Sequence, residues 1–342
     1  MARIALDAMG GDFAPSAPVA GALLALAELD PSHRIQLVGI PEVIRREIDE
    51  ALSGAHAALA SHADRLDIIE ASDVIDMSEK PSAAVRGKPN SSMHVGLKLQ
   101  PEGRSDAFVS AGNTGAQMAI STLVLRLHPG LSRPAISTVF PTAAQSVVVL
   151  DSGANVDCSP QELLQFARLG SVYAEDMLGR SNPVIGLLSI GEEPEKGNVA
   201  VKEAHQLLLQ SGLNFQGNVE GRDLPMGRSD RGPIDVVVCD GFVGNALLKF
   251  YEAVAPMLIN MVARQAGLSK EQLAATFKNL DYSEHGGAPL LGVKGVSIIS
   301  HGKSSPRAIT SAIKVAVRAV ETRMNDHIGR RLSESEQAGS VA

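Results

Sequence analysis

The sequence predicts an α/β fold, with a mostly parallel, Rossmann-like sheet and helices on both of its faces. Short β-branched runs alternate with helix-length amphipathic segments along most of the chain, which marks βαβ units. The runs are continuously apolar rather than alternating, as strands covered on both faces are. A third observation places the chemistry, because four runs each end in a polar residue followed by a glycine turn. Phe108-Val109 leads into Ser110-Ala111-Gly112-Asn113-Thr114-Gly115, and Val147 to Leu150 leads into Asp151-Ser152-Gly153. Val236 to Cys239 leads into Asp240-Gly241-Phe242-Val243-Gly244-Asn245, and Ile298-Ile299 into Ser300-His301-Gly302-Lys303-Ser304. Open α/β sheets bind ligands beyond the carboxyl ends of their strands, where glycine admits backbone N–H groups to an anion and the next helix N-terminus favours negative charge. The four turns are expected to converge on one sheet edge as a cleft that handles phosphate.

Arg3 to Leu6 reads as the first strand and Asp7-Ala8-Met9-Gly10-Gly11-Asp12 as the loop beyond it. Ala17 to Leu29 reads as a helix, Ile35 to Val38 as a strand, and Pro41 opens a helix to about Ser53, proline being suited to a first turn. A strand at Leu66 to Ile69, a helix around Ser91 to Leu99, a strand at Asp106 to Val109 and a helix from Gly115 to Leu127 continue the alternation. Ala135 to Phe140 and Ser146 to Leu150 are separated only by Pro141 to Gln145, too short for a crossover helix, so they are predicted to pair antiparallel. Pro160 to Leu178 is a long helix and Val184 to Ile190 a strand, while Gly217 to Pro233, rich in Gly, Pro, Asp and Arg without periodicity, reads as a surface loop. Residues 1–330 are expected to form a single α/β domain or two lobes around a cleft, and residues 331–342 a polar, frayed tail.

With 342 residues the chain buries a sizeable core, and 44% hydrophobic but only 3% aromatic content makes that core aliphatic. A formal net charge of -7 argues against nucleic-acid binding. The two cysteines, Cys158 and Cys239, form neither a disulfide framework nor a metal motif, which fits a reducing cytosol with no metal site. Met1 to Asp7 enters a strand rather than a signal peptide, and no uninterrupted apolar stretch is long enough to span a bilayer comfortably. A cytoplasmic protein able to lie on a membrane surface is expected.

Ala246 to Arg264 carries two apolar stripes, one through Leu247, Leu248, Tyr251, Ala255, Leu258, Ile259 and Val262, the other through Phe250, Val254, Met257 and Met261. Both faces call for burial, either sandwiched inside the subunit or dimer, or against lipid. Pro256 is expected to kink or split the helix, and Lys249, Glu252 and Asn260 argue against a spanning role.

Nucleotide signatures fail at specific positions. Asp7-Ala8-Met9-Gly10-Gly11 stands where a dinucleotide-binding glycine motif would follow the first strand, and Ser297 occupies the first glycine of a P-loop ending at Gly302-Lys303-Ser304. Lys303, between strand and helix, remains suited to a simple phosphate. Cys239 at a strand end reads as a packed thiol rather than a nucleophile, and no serine-hydrolase elbow occurs. In Gly191-Glu192-Glu193-Pro194-Glu195-Lys196-Gly197-Asn198, Lys196 and Asn198 stand just ahead of a helix N-terminus, where an anion fits as well as a solvated loop does. Arg307, Lys314 and Arg318, and separately Arg222, Arg228 and Arg231, are surface charge or a docking patch for an acidic carrier.

Together, Asp7 to Asp12, Ser110 to Ala116, Gly191-Glu192-Glu193 with Lys196-Gly197, Asp240 to Asn245, and Gly286-Gly287-Ala288-Pro289-Leu290-Leu291-Gly292 with His301-Gly302 resemble the bacterial phosphate acyltransferases of phospholipid synthesis, over nearly the whole chain from Ile4 to about Val320. The resemblance implies transfer of a fatty acyl group from acyl carrier protein to inorganic phosphate, giving acyl phosphate for a downstream membrane acyltransferase. It also implies a fold similar to isocitrate and isopropylmalate dehydrogenases and to phosphotransacetylase, and a homodimer held peripherally at the membrane, with Ala246 to Arg264 as the contact. In such a reaction phosphate itself attacks the thioester, so no metal, cofactor or side-chain nucleophile is called for. Lys196, Asn113, Thr114 and Asn245 suit the tasks of holding phosphate and offsetting charge, with the amides of Gly112 and Gly115. Motif positions add Asp7, Gly10, Gly11, Asp12, Asp240 and His301, the last a candidate acid for the departing thiol. The rival readings are a phosphotransacetylase using a coenzyme A thioester, a metal- and NAD-dependent decarboxylating dehydrogenase, and a non-enzymatic lipid-surface adaptor.

Overall fold

The structure, a computed structural model, describes residues 1–266 and 286–340. The chain divides into two compact units, one made of Met1–Gly130 with His285–Ala342 and the other of Leu131–Glu284.

The first unit runs β1 (Arg3–Asp7), α1 (Ser16–Glu28), β2 (Arg34–Gly39), α2 (Pro41–Ser53), a 3-10 helix (Ala57–Arg65), β3 (Leu66–Glu70), α3 (Pro81–Gly87), α4 (Ser92–Lys98), β4 (Ala107–Ser110) and α5 (Thr114–Leu125). The late part of the chain returns to it with β13 (Ala288–Leu291), β14 (Ser297–Ile299), α10 (Pro306–Glu321) and α11 (Met324–Ser340). Its strands lie in the order β3-β2-β1-β4-β14-β13, all parallel except β13, which runs antiparallel to β14. Ile4, Leu6, Leu37, Phe108, Val109 and Ile298 are fully buried, which is why these runs needed no polar alternation. α10 lies against α1, where Thr310 Oγ1 donates to the Gly21 carbonyl at 3.0 Å.

The second unit runs β5 (Ala135–Ile136), β6 (Thr138–Phe140), β7 (Val147–Leu150), α6 (Pro160–Leu178), β8 (Ile185–Leu188), α7 (Val199–Leu209), β9 (Phe215–Val219), α8 (Asp223–Met226), β10 (Arg228–Ser229), β11 (Gly232–Pro233), β12 (Val236–Val238) and α9 (Gly241–Ala266). Its five-stranded sheet has the order β6-β7-β12-β8-β9. β6 pairs antiparallel with β7, as the short connection required, and the remaining pairs are parallel. The core gathers Phe140, Val147, Val149, Val219, Leu224, Ile234, Val237 and Leu248, with Tyr251 edge-on to Phe140 at 5.6 Å between ring centres. α6 has the bounds its caps dictate: Ser159 and Glu162 form a capping box, Pro160 occupies the first turn, and Gly179 ends the helix at φ 70°.

Several expectations require correction. The four glycine turns do not share one sheet edge: β4 and β14 belong to the first unit, β7 and β12 to the second. Gly217 to Pro233 is not a plain loop, since Gly217, Asn218 and Val219 complete β9 and the rest folds into α8 and the β10-β11 hairpin. Pro256 does not split α9, which is continuous through it. Nor is α9 sandwiched inside the subunit: Leu248 is buried, but Phe250, Met257, Leu258, Met261 and Val262 are exposed. By length and apolar composition only, α9 would be able to cross a bilayer, although it carries Lys249, Glu252 and Asn260. α11 takes up most of the segment expected as a tail and buries Leu332, while residues 341 and 342 lie outside the described part.

Candidate active site

In the first unit, three neighbouring strands end in turns that are bonded to one another. Asp7, at the end of β1, is buried, and its Oδ2 accepts the Ser110 hydroxyl at 2.7 Å across the gap to β4. Ser110 Oγ in turn accepts the Gly112 amide at 3.0 Å, and Asp7 Oδ1 accepts the Met9 amide at 3.1 Å. One carboxylate thus sets both turns. Burial raises the Asp7 pKa, opposed by hydrogen bonds from Ser92, Ser110, Met9 and Gly10. Gly10 is required by close approach, since a Cβ there would stand 2.5 Å from Asp7 Oδ2 and 2.9 Å from the Gly112 nitrogen. The third turn joins through Asp12, whose amide donates to the Gly302 carbonyl at 2.7 Å.

α5 begins in the middle of this rim. Asn113 caps it by accepting the Ala116 amide at 3.0 Å, and its Nδ2 donates to the Met77 and Glu79 carbonyls at 3.1 and 2.9 Å. The Asn113 side chain therefore shapes the rim rather than offering itself to an anion. Thr114 and Gly115 occupy the first turn of α5, whose amides precede any intrahelical bond. Thr114 is exposed, as are His301 and Lys303. His301 Nδ1 accepts the Lys303 amide at 3.1 Å, so the neutral ring carries its proton on Nε2. Asp7, Gly10, Gly11, Asp12, Gly112, Asn113, Thr114, Gly115, His301 and Lys303 thus all lie on one rim.

The other expected residues, Lys196, Asp240 and Asn245, belong to the second unit. There Asp151, fully buried at the end of β7, repeats the device seen at Asp7. Its Oδ1 accepts the Ile136 and Ala154 amides at 2.9 and 3.1 Å, and its Oδ2 the Asn155 amide at 2.6 Å. Burial raises its pKa also, against those bonds. Gly241 and Gly244 let the first turns of α9 pack onto the Asp151 turn, where a Cβ on Gly244 would collide with the Asp151 carbonyl oxygen. Asp240 is committed to structure: its Oδ1 accepts the Phe242 amide and its Oδ2 the Cys158 amide, both at 2.8 Å. Asn245 is exposed and lies over Gly153. Lys196 is exposed on a turn whose Glu193 carbonyl accepts both the Lys196 amide at 3.0 Å and the Nδ2 of buried Asn218 at 2.8 Å. Asn218 is held from α7 by His205 at 2.9 Å, a role hidden in sequence because the segment read as loop.

Burial lifts the Cys239 thiol well above its ordinary range and pushes Cys158 up to about 12. Neither is a ready thiolate, in keeping with the packed-thiol reading.

The family described as fatty acid synthesis protein matches residues 2–327. Phosphate acyltransferase of Heliobacterium modesticaldum is 48% identical over 329 residues, covering 93% of this chain and 94% of that one. This chain belongs to the phosphate acyltransferase family. It is thereby an acyltransferase of fatty acid and phospholipid synthesis. Phosphate acyltransferase of Thermosynechococcus vestitus is 46% identical over 340 residues, 96% of this chain and 94% of that one. Among solved structures, a phosphotransacetylase from Streptococcus pyogenes superposes with TM-score 0.61 at 18% identity, and EutD phosphotransacetylase from Staphylococcus aureus with 0.60 at 15%, each covering 94% of both chains. At such identities the likeness concerns the fold, and it agrees with the α/β class expected of a phosphate acyltransferase.

Proposed function

We propose that this acyltransferase moves a fatty acyl group from acyl carrier protein to inorganic phosphate, releasing acyl phosphate and the free carrier for phospholipid synthesis. The observation that carries this reading is the anion-suited rim on which the α5 N-terminus, Lys303 and His301 share turns fixed by Asp7. A phosphate oxygen forms a bond to the thioester carbonyl carbon, the carbon–sulfur bond breaks, and the sulfur leaves with a proton. The Thr114 and Gly115 amides and Lys303 hold phosphate, and His301 Nε2–H hydrogen-bonds the departing sulfur, which takes up the proton that phosphate gives up on attack. Asp7 and Asp12 hold the turns of this rim in place; in the second unit, taken by itself, Lys196 and Asn245 are the proposed charge-offsetting groups, and Asp240 holds its own turn.

The test is to incubate a long-chain acyl carrier protein with phosphate and trap acyl phosphate with hydroxylamine. Formation of the hydroxamate only when phosphate is present is expected. A radiolabelled acyl chain left covalently on the polypeptide during turnover would overturn direct attack. Lys196→Ala is expected to depress phosphate-dependent turnover without altering assembly, and wild-type rates would remove Lys196 from the reaction. The fold likeness to phosphotransacetylases keeps one second reading, a coenzyme A thioester as donor. Comparable rates with acyl-coenzyme A at equal concentration would favour it.

We also propose that the exposed apolar side chains of α9 meet a second copy of the chain and a membrane surface, giving a cytoplasmic, peripherally attached homodimer beside the membrane acyltransferase that consumes acyl phosphate. Leu258→Glu is expected to weaken sedimentation as a dimer or flotation with vesicles. Both unchanged would refute this use of α9.

A further inference from the structure

Between β3 and α3, residues Asp76 to Glu79 form a strap pinned to the start of α5. Asn113 Nδ2 holds it through the Met77 and Glu79 carbonyls, and reaches the Asp76 carbonyl at 3.4 Å. Within the strap, the Asp76 amide donates to Glu79 Oε1 at 2.8 Å and the Ser78 amide to Asp76 Oδ1 at 2.8 Å. Lys88 closes it from behind, pairing with the Glu79 carboxylate and donating to the Val74 carbonyl at 2.7 Å. So secured, the strap leaves the Met77 side chain 43% exposed while its Cε rests on Gly302, 2.8 Å from where a side chain would begin there. Asp12 Oδ1 lies 3.4 Å from the same point, and the next residue, Phe13, is 55% exposed.

An exposed methionine alone would need no explanation. This one is held on the turn that carries His301 by a strap that Asn113 and Lys88 fix in place, at a rim otherwise built of Asp12, Thr114, His301 and Lys303. Thr114, His301 and Lys303 suit phosphate and the departing sulfur, but they offer nothing to the apolar stem beside that sulfur on the second substrate. A thioether on a flexible, unbranched side chain is matched to such a group. We propose that Met77, assisted by Phe13, is the apolar seat for the first carbons of the acyl thioester and so recognises the donor rather than phosphate. The assignment rests on reading this rim as the reaction site.

The experiment is steady-state kinetics of Met77→Ala and Met77→Leu with long-chain acyl carrier protein and phosphate varied in turn. Met77→Ala is expected to raise the donor KM about five- to tenfold, as for one or two lost methylene contacts, with the phosphate KM unchanged. Met77→Leu, of similar volume, is expected to keep the wild-type donor KM. A donor KM unaltered in Met77→Ala, a rise shared equally by phosphate, or equal impairment in both variants overturns the seat while leaving the proposed reaction intact. A wild-type chain that makes no acyl phosphate overturns the reaction and the seat with it. As a direct readout, an acyl thioester carrying a diazirine near its carboxyl end is expected to label residues 76–79, and labelling elsewhere only also overturns the seat.

Discussion

Asn113 offers a sharp test of the rim, because its sequence position suggests a phosphate ligand whereas its bonds make it a cap and a clasp. Replacing it with alanine removes the bond to the Ala116 amide, worth about 1 kcal/mol as a helix cap. It also removes two good donor bonds to strap carbonyls, each worth about 0.5–1.5 kcal/mol net. A total of about 2–4 kcal/mol is expected for Asn113→Ala. Asn113→Asp separates the two jobs: the cap acceptor survives, but the clasp becomes an oxygen facing carbonyl oxygens. The assay is thermal unfolding combined with hydrogen exchange of the strap amides, which reports the local opening without assuming two-state unfolding of a chain with two units. Both variants should lose protection at Ser78 and Glu79, and Asn113→Asp should retain more of the stability. Stability and protection unchanged in both, together with a selective rise in the phosphate KM, would falsify the cap-and-clasp account and return Asn113 to the ligand set.

Three further predictions follow from buried groups. Because burial raises the Asp7 pKa above its ordinary 3.8, the folded chain keeps a proton that the unfolded chain releases, and the carboxyl's contribution to stability falls as pH rises from about that value through the folded one. The Tm difference between Asp7→Asn and wild type should move in favour of the variant as pH rises above 3.8, and parallel curves would contradict this. With Cys158 up to about 12 and Cys239 also raised, a thiol reagent at neutral pH should react slowly with the folded chain and rapidly after denaturation, and Cys239→Ser should stay active; prompt labelling of the native chain would show an accessible thiolate. Gly244→Ala drives a methyl group into the Asp151 carbonyl and should cost at least about 1–3 kcal/mol, whereas Gly221→Ala, with open space around it, should stay within about 0.5 kcal/mol; equal melting of the two variants would count against the packing of α9 on Asp151.

Where local chemistry decides structure, the sequence was readable. α6 was found to the residue because Ser159, Pro160, Glu162 and Gly179 spell both of its ends. The antiparallel β6-β7 pair followed from a five-residue connection. β9 was missed because Gly217 and Asn218 have little strand propensity, and Asn218 is in the strand for its bonds to His205 and the Glu193 carbonyl. The single-sheet expectation failed for a different reason: apolar runs mark strands, whereas β4 finding β14 rather than β7 is a long-range pairing that periodicity does not encode. At the site, the glycine turns were visible, but the roles of Asn113 and Asp240 as caps had to be seen in their bonds. Asn113 ahead of a helix carried the cap signal all the same.

The first unit is assembled from both ends of the chain, and this has a consequence during synthesis. β4 emerges from the ribosome long before β14, the strand that pairs with it through Ser297↔Phe108 and Ile299↔Ser110. Until then the nascent chain carries an unpaired edge made largely of the apolar Ala107, Phe108 and Val109, the kind of surface that other chains can adopt. Truncation anywhere before β14 should therefore yield aggregates rather than a smaller folded protein, and a stalled chain should recruit chaperones through residues 107–110.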